Sequence, residues 1–308
     1  MSKAPIEEQI SGDWSDWITD RVLRAVIWLM LRVPLRLRLL LMGRFVSRIV
    51  APLAGYRARA IENLTHVWPD MSDAEKALIA DGVADNAGRT MIENYEVNGL
   101  RDRMRTAKVT GDGLKAIKEA RAEGRPVLFV TGHFGNFEAP RAALVAQGYK
   151  IGGLYRPMSN PFFNDHYARN MHRLSGPVFE QGRRGTMGLL RHIKDGGMGV
   201  LLFDVYDSAG TVIDFMGQPA PTLTSAADIA LRTGALMVPF FGIRQPDGES
   251  FEAVFEAPIP HGDPVEMMRA ATARLESHIR DHPEQWFWIH RRWKPRRQRK
   301  RAAAKTGP

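Results

Sequence analysis

The chain has 308 residues, of which 44% are apolar and 25% are charged, and its formal net charge is +9. This length allows one large domain or two small ones with a sizeable core, and the composition argues against a disordered or collagen-like chain. Because the sequence contains no cysteine, a disulfide scaffold, a thiolate nucleophile, an iron–sulfur cluster and a cysteine-ligated zinc site are excluded.

The N-terminal segment, residues 1–50, is predicted to be helical and to associate with a membrane. Residues 1–20 are acidic and lack the cationic start of a secretory signal. In residues 22–42, sixteen of twenty-one residues are apolar, but four arginines and Pro34 interrupt them. A charge at the bilayer centre costs about 2.5–3.5 kcal/mol. A helix lying in the headgroup plane, with Trp14, Trp17 and Trp28 nearby, is therefore favoured over a spanning helix or an ordinary core helix.

Residues 51–110 form a helical lead-in without obvious chemistry. Ser72 and Glu75 have the spacing of a capping box, so a helix is expected to begin there. The residues that follow are apolar near helical spacing, which indicates a helix packed on other elements.

From residue 111 to residue 294 the pattern alternates between short apolar runs and amphipathic stretches. It predicts strands at 126–130, 151–154, 199–204, 235–241 and 251–257, and helices at 137–147, 162–174, 186–194, 224–232 and 264–281. The predicted fold class is α/β, a single layered domain with a mostly buried central sheet flanked by helices. The N-terminal membrane-associating helical region would precede this domain.

The last segment, residues 295–308, is predicted to be a basic, disordered tail. The nine lysines and arginines after Ile289 have no acidic residue among them and equal the whole charge excess of the chain. Such a tail either contacts an anionic surface, such as phospholipid headgroups, nucleic acid or an acidic protein, or is simply solvated.

The sharpest chemical signal is the segment TGHFGNFE, residues 131–138, directly after the first apolar strand. A histidine that leaves the carboxyl end of a buried strand lies at the edge where α/β folds bind ligands. Glu138 follows His133 by five residues, and its carboxylate could hold one ring N–H and make the other nitrogen a general base. In the alternative interpretation Glu138 serves the N-terminus of the next helix.

The absence of other motifs limits what this base could act on. There is no G-x-S-x-G elbow, no phosphate-binding glycine loop, no dinucleotide fingerprint and no H-E-x-x-H pair. Neither a metal nor a cofactor is therefore expected. We expect the base to activate a hydroxyl of a bound substrate, which attacks an activated donor directly.

Further candidate binding residues follow the other predicted strands. Arg156 precedes a proline and is held extended, so it could bind a phosphate or carboxylate, as could Arg183 and Arg184 between two glycines. Asp204 ends another strand, where it could serve a substrate or only a turn. The aromatic and cationic residues at 286–294 suit a membrane interface, with a nucleic-acid stacking platform as the alternative.

Several segments in this order resemble the bacterial lipid A biosynthesis (lauroyl/myristoyl) acyltransferase family. They are GHFGNFE at 132–138, YRPMSNPFFND at 155–165, RRGTMGLLRHIKDGG at 183–197, VIDFMGQPAPTLTSAADIALRTGALMVPFF at 212–241 and HPEQWFWIHRRWK at 282–294. They cover nearly all of residues 111–294. One departure is Asp204-Val205, where the family usually has Asp-Gln.

The resemblance implies transfer of a fatty acyl chain from acyl carrier protein to a hydroxyl of a lipid A precursor, at the cytoplasmic face of the inner membrane. His133 would be the general base, Glu138 its orienting partner, and Arg156 and Asp204 residues of the substrate site. Acyl carrier protein, the lipid A precursor and membrane phospholipid are the expected partners, and nucleic acid is not. A glycerolipid acyltransferase is the nearest alternative, and a non-catalytic basic membrane- or nucleic-acid-binding protein is a remote one.

Overall fold

The computed structural model describes residues 12–294. The predicted basic tail, residues 295–308, and the first eleven residues of the acidic start lie outside the described residues. The helices are α1 (Trp14–Met30), α2 (Leu35–Phe45), α3 (Ala51–Leu53), α4 (Tyr56–Val67), α5 (Asp73–Tyr95), α6 (Val97–Arg105), α7 (Gly113–Ala122), α8 (Ala139–Ala146), α9 (Pro161–Leu174), α10 (Arg183–Lys194), α11 (Ser225–Thr233) and α12 (Pro264–Asp281). The strands are β1 (Lys108–Thr110), β2 (Val127–Thr131), β3 (Ile151–Tyr155), β4 (Val178–Glu180), β5 (Met198–Leu202), β6 (Thr211–Phe215), β7 (Gln218–Thr222), β8 (Leu236–Arg244) and β9 (Phe251–Phe255). A π-helical turn (Val46–Val50) and a 3-10 turn (Pro283–Gln285) complete the elements.

Seven strands form one sheet in the order β1-β9-β8-β2-β5-β3-β4. All neighbours are parallel except β8 and β9, which are antiparallel. Strands β6 and β7 form a separate antiparallel hairpin. The predicted α/β class with a central sheet and flanking helices is therefore confirmed as a single mixed α/β domain whose sheet is mostly parallel.

The central strand β2 is buried along its whole length and contributes to a hydrophobic layer on each face of the sheet. Leu128 and Val130 point to the layer formed with α4, α5, α11 and α12. Val127 and Phe129 point to the layer formed with α6, α7 and α8. The alternation follows from the two-residue period of a strand. The helices between residues 56 and 105 belong to these two layers, so they help to cover the sheet.

The capping box predicted at the start of α5 is confirmed. The side-chain hydroxyl of Ser72 accepts a hydrogen bond from the backbone N–H of Glu75, and the Glu75 carboxylate accepts one from the backbone N–H of Ser72. The reciprocal bonds satisfy two of the free N–H groups that every helix start exposes.

The prediction of an exposed aromatic surface at 286–294 is wrong. Trp286, Trp288 and Trp293 are completely buried and pack against one another. The Asn63 side chain of α4 donates to the carbonyl oxygens of Trp288 and His290, at 2.7 and 2.8 Å, and ties this segment to the helical layer. A sequence rich in tryptophan and arginine is compatible with either an interface or a core, and here the indoles fill the core.

The N-terminal helix α1 turns its polar side towards the protein. Asp20 is fully buried and accepts a hydrogen bond from Arg24 at 2.7 Å, while Arg24 also donates to the carbonyl oxygen of Phe162 in α9. The Asn160 side chain, just before α9, donates to the carbonyl oxygen of Asp16. The opposite side of α1 is apolar and exposed. Among residues 12–294, no helix is long and apolar enough to cross a bilayer.

Candidate active site

The candidate site lies at the carboxyl edge of the sheet, where β2 and β5 end side by side. Thr131 of β2 pairs with Leu202 of β5 in parallel register. His133 and Asp204 each lie two residues beyond this pair, so the topology brings them together although 71 residues separate them. The placement agrees with the rule that α/β sheets bind ligands at the carboxyl ends of their strands.

The Asp204 carboxylate is almost completely buried, and its contacts hold His133 in one orientation. Oδ1 lies 2.8 Å from Nδ1 of His133. Oδ2 accepts hydrogen bonds from the backbone N–H of His133 at 2.8 Å and from the indole Nε1 of Trp286 at 2.9 Å. An ionised carboxylate only accepts hydrogen bonds, so Nδ1 carries the proton and Nε2 is left as the basic nitrogen.

The charge on Asp204 is maintained despite its burial. Burial raises the pKa of this carboxyl group, but the interaction with His133 outweighs burial and holds the pKa well below its ordinary value. The His133 side chain is 28% exposed, so Nε2 is accessible to a substrate. The pair has the arrangement of a general base with an orienting carboxylate.

The loop that carries His133 depends on two glycines. Gly135 has a φ of 53°, and a Cβ there would lie 1.9 Å from the carbonyl oxygen of Gly242. A Cβ on Gly132 would lie 2.7 Å from the Leu275 side chain and 3.0 Å from Asp204 Oδ2. The absence of side chains therefore allows the loop to run against β8 and to bring its backbone onto the carboxylate.

A buried polar network of side chains also holds the loop that carries His133. Arg244, at the end of β8, forms two hydrogen bonds of 2.8 Å with the fully buried Glu93 of α5. Glu93 also accepts a hydrogen bond from the Asn136 side chain at 3.0 Å. The backbone N–H of Gly135 donates to the carbonyl oxygen of Gln285 at 2.8 Å. Helix α5 thereby positions a loop that lies far from it in sequence.

Glu138, the residue predicted to orient His133, has other partners. Its carboxylate lies 3.3 Å from Arg141 on the next turn of the chain, and both side chains are buried. Arg141 in turn donates to the carbonyl oxygens of Ile151 and Ser175. Within the described residues His133 makes no hydrogen bond or ion pair with Glu138. Asp204, predicted only as a substrate-site residue, holds Nδ1, and Glu138 is the buried charge partner of Arg141, which joins α8 to β3.

Three aromatic rings surround the His133 imidazole. Phe137 and His290 lie at ring-centroid distances of 5.5 and 4.4 Å, both edge to face, and Phe287 lies at 6.3 Å. Burial, followed by the nearby charge of His133, lowers the pKa of His290 to about 3. His290 is thus a neutral neighbour of the base. In the sequence, His290 belongs only to a basic–aromatic segment, and nothing in the local pattern reveals its contact with His133.

The predicted cationic residues lie along the same edge of the sheet, further from the base. Arg156 follows β3, the neighbour of β5, and Arg183 and Arg184 begin α10 just after β4, the edge strand. All three are exposed. The order of strands therefore produces a row, with the His133–Asp204 pair at the centre of the sheet and the arginines towards its β4 edge.

His133, Asp204 and His290 offer ligand atoms within 4.8 Å of one another, and no other such group of three was found in the described part of the chain. Both Asp204 oxygens, however, already accept hydrogen bonds from N–H groups of His133 and Trp286. These bonds occupy the carboxylate as the partner of a general base, so we interpret the cluster as acid–base machinery.

A mostly parallel sheet with a histidine–aspartate pair at its carboxyl edge is an arrangement typical of α/β enzymes, and such a pair can act as a general base towards a hydroxyl group. Comparison with known proteins gives the particular family. The chain belongs to the bacterial lipid A biosynthesis acyltransferases, whose family model matches residues 6–295.

Relatives in this family are named for acyl transfer. The chain is 26% identical to a lipid A biosynthesis acyltransferase of Haemophilus influenzae, over 83% of this chain and 81% of that protein. It is 26% identical to the lipid A biosynthesis lauroyltransferase of Escherichia coli, over 92% of each, and 25% identical to the myristoyltransferase, over 83% and 80%. The protein is therefore an acyltransferase.

Proposed function

We propose that this enzyme transfers a fatty acyl chain from acyl carrier protein to a hydroxyl group of a lipid A precursor, with His133 as the general base. The observation that carries the proposal is the 2.8 Å contact between Nδ1 of His133 and the buried Asp204 carboxylate. It leaves Nε2 basic and accessible at the edge of the sheet where substrates bind.

The reaction needs no covalent acyl-enzyme. Nε2 of His133 takes the proton of the acceptor hydroxyl while its oxygen attacks the thioester carbonyl carbon. The carbonyl oxygen becomes an oxyanion. When the tetrahedral intermediate collapses, the carbon–sulfur bond breaks and the leaving thiolate takes the proton from His133. Asp204 stabilises the imidazolium that exists between these two proton transfers.

The row of arginines supports a phosphorylated acceptor. Arg156, Arg183 and Arg184 are exposed along the same edge of the sheet as the base, and no ion pair with them is found among the described residues. Guanidinium groups bind phosphate bidentately. We assign them to the phosphates of the lipid A precursor, with the acidic carrier protein as a further partner of this basic side.

The N-terminal helices support a position on the membrane. Ile18, Val22 and Leu29 share the outward side of α1 and are each more than half exposed, while the polar side of the same helix faces the protein. A second apolar stripe recurs every four residues from α2 onward, at Leu37, Leu41, Phe45, Ile49 and Leu53. Helices with outward apolar sides and flanking arginines suit the headgroup region of an anionic leaflet.

We place the enzyme accordingly at the cytoplasmic face of the inner membrane, with α1 lying in the interface. This orientation would let an acceptor with several acyl chains reach the edge of the sheet without leaving the bilayer.

Radiolabelled acyl transfer tests the proposal. Purified protein in mixed micelles is given labelled acyl-acyl carrier protein and either a lipid A precursor or a lysophospholipid. We expect label in the lipid A precursor, and a rate about 10²–10⁴-fold lower for His133→Ala. Label in the lysophospholipid alone would instead identify a glycerolipid acyltransferase, and an unchanged His133→Ala rate would refute the base.

A further inference from the structure

His290 has the position of a group that takes part in the reaction. Its ring stands edge to face on His133, with centroids 4.4 Å apart and an interplanar angle of 75°. One of its ring nitrogens lies within 4.8 Å of ligand atoms of both His133 and Asp204. Two hydrogen bonds hold the backbone of His290. Its N–H donates to the carbonyl oxygen of Phe287, and its carbonyl oxygen accepts a hydrogen bond from the Asn63 side chain.

The imidazole of His290 makes no hydrogen bond with any described residue, and its Nε2 is buried. A buried polar atom without a partner costs about 1–3 kcal/mol, and in native proteins such an atom usually has a reason, one of which is a catalytic role. A neutral imidazole has one N–H donor, and beside the base this donor has no partner among residues 12–294.

We propose that His290 is a catalytic residue whose ring N–H donates a hydrogen bond to the oxyanion that forms on the acyl carbonyl during transfer. The inference rests on the acyl transfer proposed above. His133 takes the hydroxyl proton, the electron pair of the carbonyl moves to its oxygen, and His290 holds that oxygen until the carbon–sulfur bond breaks.

The backbone of the catalytic loop supplies little for this purpose. The N–H groups of five loop residues are already engaged: His133 with Asp204, Phe134 with Gly132, Gly135 with Gln285, Asn136 with Gly242 and Glu138 with the Asn136 side chain. An oxyanion needs donors that are fixed before the reaction, and a side chain next to the base can supply one where most loop amides are used for folding.

The charges in the site agree with this role. During transfer His133 becomes an imidazolium, whose single positive charge is matched by the single carboxylate of Asp204. A second protonated imidazole at 4.4 Å would oppose proton uptake by the base. Other charged or titratable groups that act on His290 are Asp204 and Arg292, and burial keeps the ring neutral among them. A neutral imidazole can donate without adding charge.

Two substitutions with side chains of similar length distinguish the loss of the hydrogen-bond donor from a change in side-chain shape. His290→Gln keeps an N–H donor and His290→Met does not. We measure kcat and KM for acyl-acyl carrier protein and for the lipid A precursor, with the thermal unfolding midpoint of each variant. We expect kcat to fall about 10²–10³-fold in His290→Met, by about tenfold or less in His290→Gln, and both KM values to stay within about threefold.

His166 provides a matched control. Its Nε2 is also buried without a hydrogen bond among the described residues, its ring stacks on Tyr95 at 5.5 Å, and burial lowers its pKa, but it lies on α9 away from His133. His166→Met should keep kcat within about twofold of the wild type, which would attribute the loss at position 290 to its place in the site.

The outcomes are distinct. Equal losses of kcat in His290→Gln and His290→Met, a loss confined to KM, or full activity in His290→Met would each overturn the role of His290. If His290→Met does not fold, His290→Phe replaces it in the same comparison. An inactive His133→Ala combined with a fully active His290→Met would refute this inference alone, whereas an active His133→Ala would remove the proposed function as well.

Discussion

The carboxyl edge of the sheet and the N-terminal helix α1 each contain a buried carboxylate, but they differ in the side chains that they expose. At the sheet edge, the buried Asp204 carboxylate has three N–H donors within 2.9 Å, and all three belong to His133 and Trp286. On α1, the Asp20–Arg24 pair faces inward and apolar side chains such as Val22 face outward. We interpret the first region as suited to acid–base chemistry, and the outward apolar side of α1 fits the membrane position proposed above.

The largest expected effect separates the two candidate carboxylates, Asp204 and Glu138. Asp204→Asn replaces one carboxylate oxygen with an NH2 donor. The remaining oxygen would serve the two N–H donors now on Oδ2, so the NH2 would face Nδ1 and favour the wrong His133 tautomer. We therefore expect kcat to fall about 10²–10⁴-fold, by analogy with other carboxylate–histidine pairs. Steady-state acyl transfer at saturating substrate measures this loss. An Asp204→Asn enzyme with wild-type kcat would contradict the assignment of the orienting role.

Glu138→Gln tests the second carboxylate in the comparison of Asp204 with Glu138. It leaves the Arg141 guanidinium buried without its carboxylate, and breaking such a pair costs about 3 kcal/mol or somewhat more. Chemical denaturation should show this loss of unfolding free energy, while kcat per folded molecule stays close to the wild type. The double variant Glu138→Leu with Arg141→Leu should recover only part of the stability, because the carbonyl oxygens of Ile151 and Ser175 lose their donor. A kcat loss in Glu138→Gln as large as in Asp204→Asn would restore Glu138 as the orienting group.

A smaller effect is expected at the apolar side of α1. Val22→Ser removes an exposed side chain whose burial in lipid is worth roughly 1.5 kcal/mol, so vesicle binding should weaken about tenfold. Sedimentation with vesicles that contain anionic phospholipid measures this change. Leu78→Ser, on α5, changes a side chain that is 75% exposed and serves as the control. Equal weakening by both substitutions would show that α1 has no special part in membrane binding.

A further expected effect concerns acid stability. His290 has an ordinary pKa of 6.5 that is lowered to about 3 in the folded protein. Below pH 6.5 the unfolded chain therefore binds a proton that the folded chain does not, so folding stability falls as the pH drops from 6.5 towards 3. The slope from this group is at most about 1.4 kcal/mol per pH unit. Urea unfolding between pH 7 and pH 4 should give a shallower pH dependence for His290→Met, and identical slopes would contradict it.

Much of the fold follows from local sequence. Strands β2, β5 and β8 consist mostly of apolar residues, and their positions were predicted to within a few residues. Helix α12 has the predicted bounds because Asp263 caps it and Pro264 begins it. The edge strands β1 and β4 were not predicted, since three partly exposed residues give no apolar run.

The hairpin of β6 and β7 was also not predicted as strands. Pro219 and Pro221 lie within β7, and proline in a run indicates a loop unless the strand lies at an edge. Here the two strands pair only with each other, so the missing N–H groups of the prolines interrupt no larger sheet.

His133 and Asp204 were both named as site residues from the sequence, but the hydrogen bond between them was not predicted. The strand and glycines around His133 indicate its role, while the choice between Glu138 and Asp204 depends on β5 lying next to β2, which is a property of the whole sheet. The role of Trp286 as a donor to Asp204 has the same origin. Spacing along the chain favoured Glu138, and strand order favours Asp204.

Nitrogen NMR of histidine labelled at both ring positions tests the central claim most directly, because it reports which nitrogen of His133 carries the proton. With His133→Gln used for assignment, we predict a protonated Nδ1 and an unprotonated Nε2 in the neutral imidazole of the wild-type enzyme, and loss of this preference in Asp204→Asn. A wild-type His133 protonated at Nε2 would contradict the account, since the nitrogen facing the substrate could then not accept the proton of the acceptor hydroxyl.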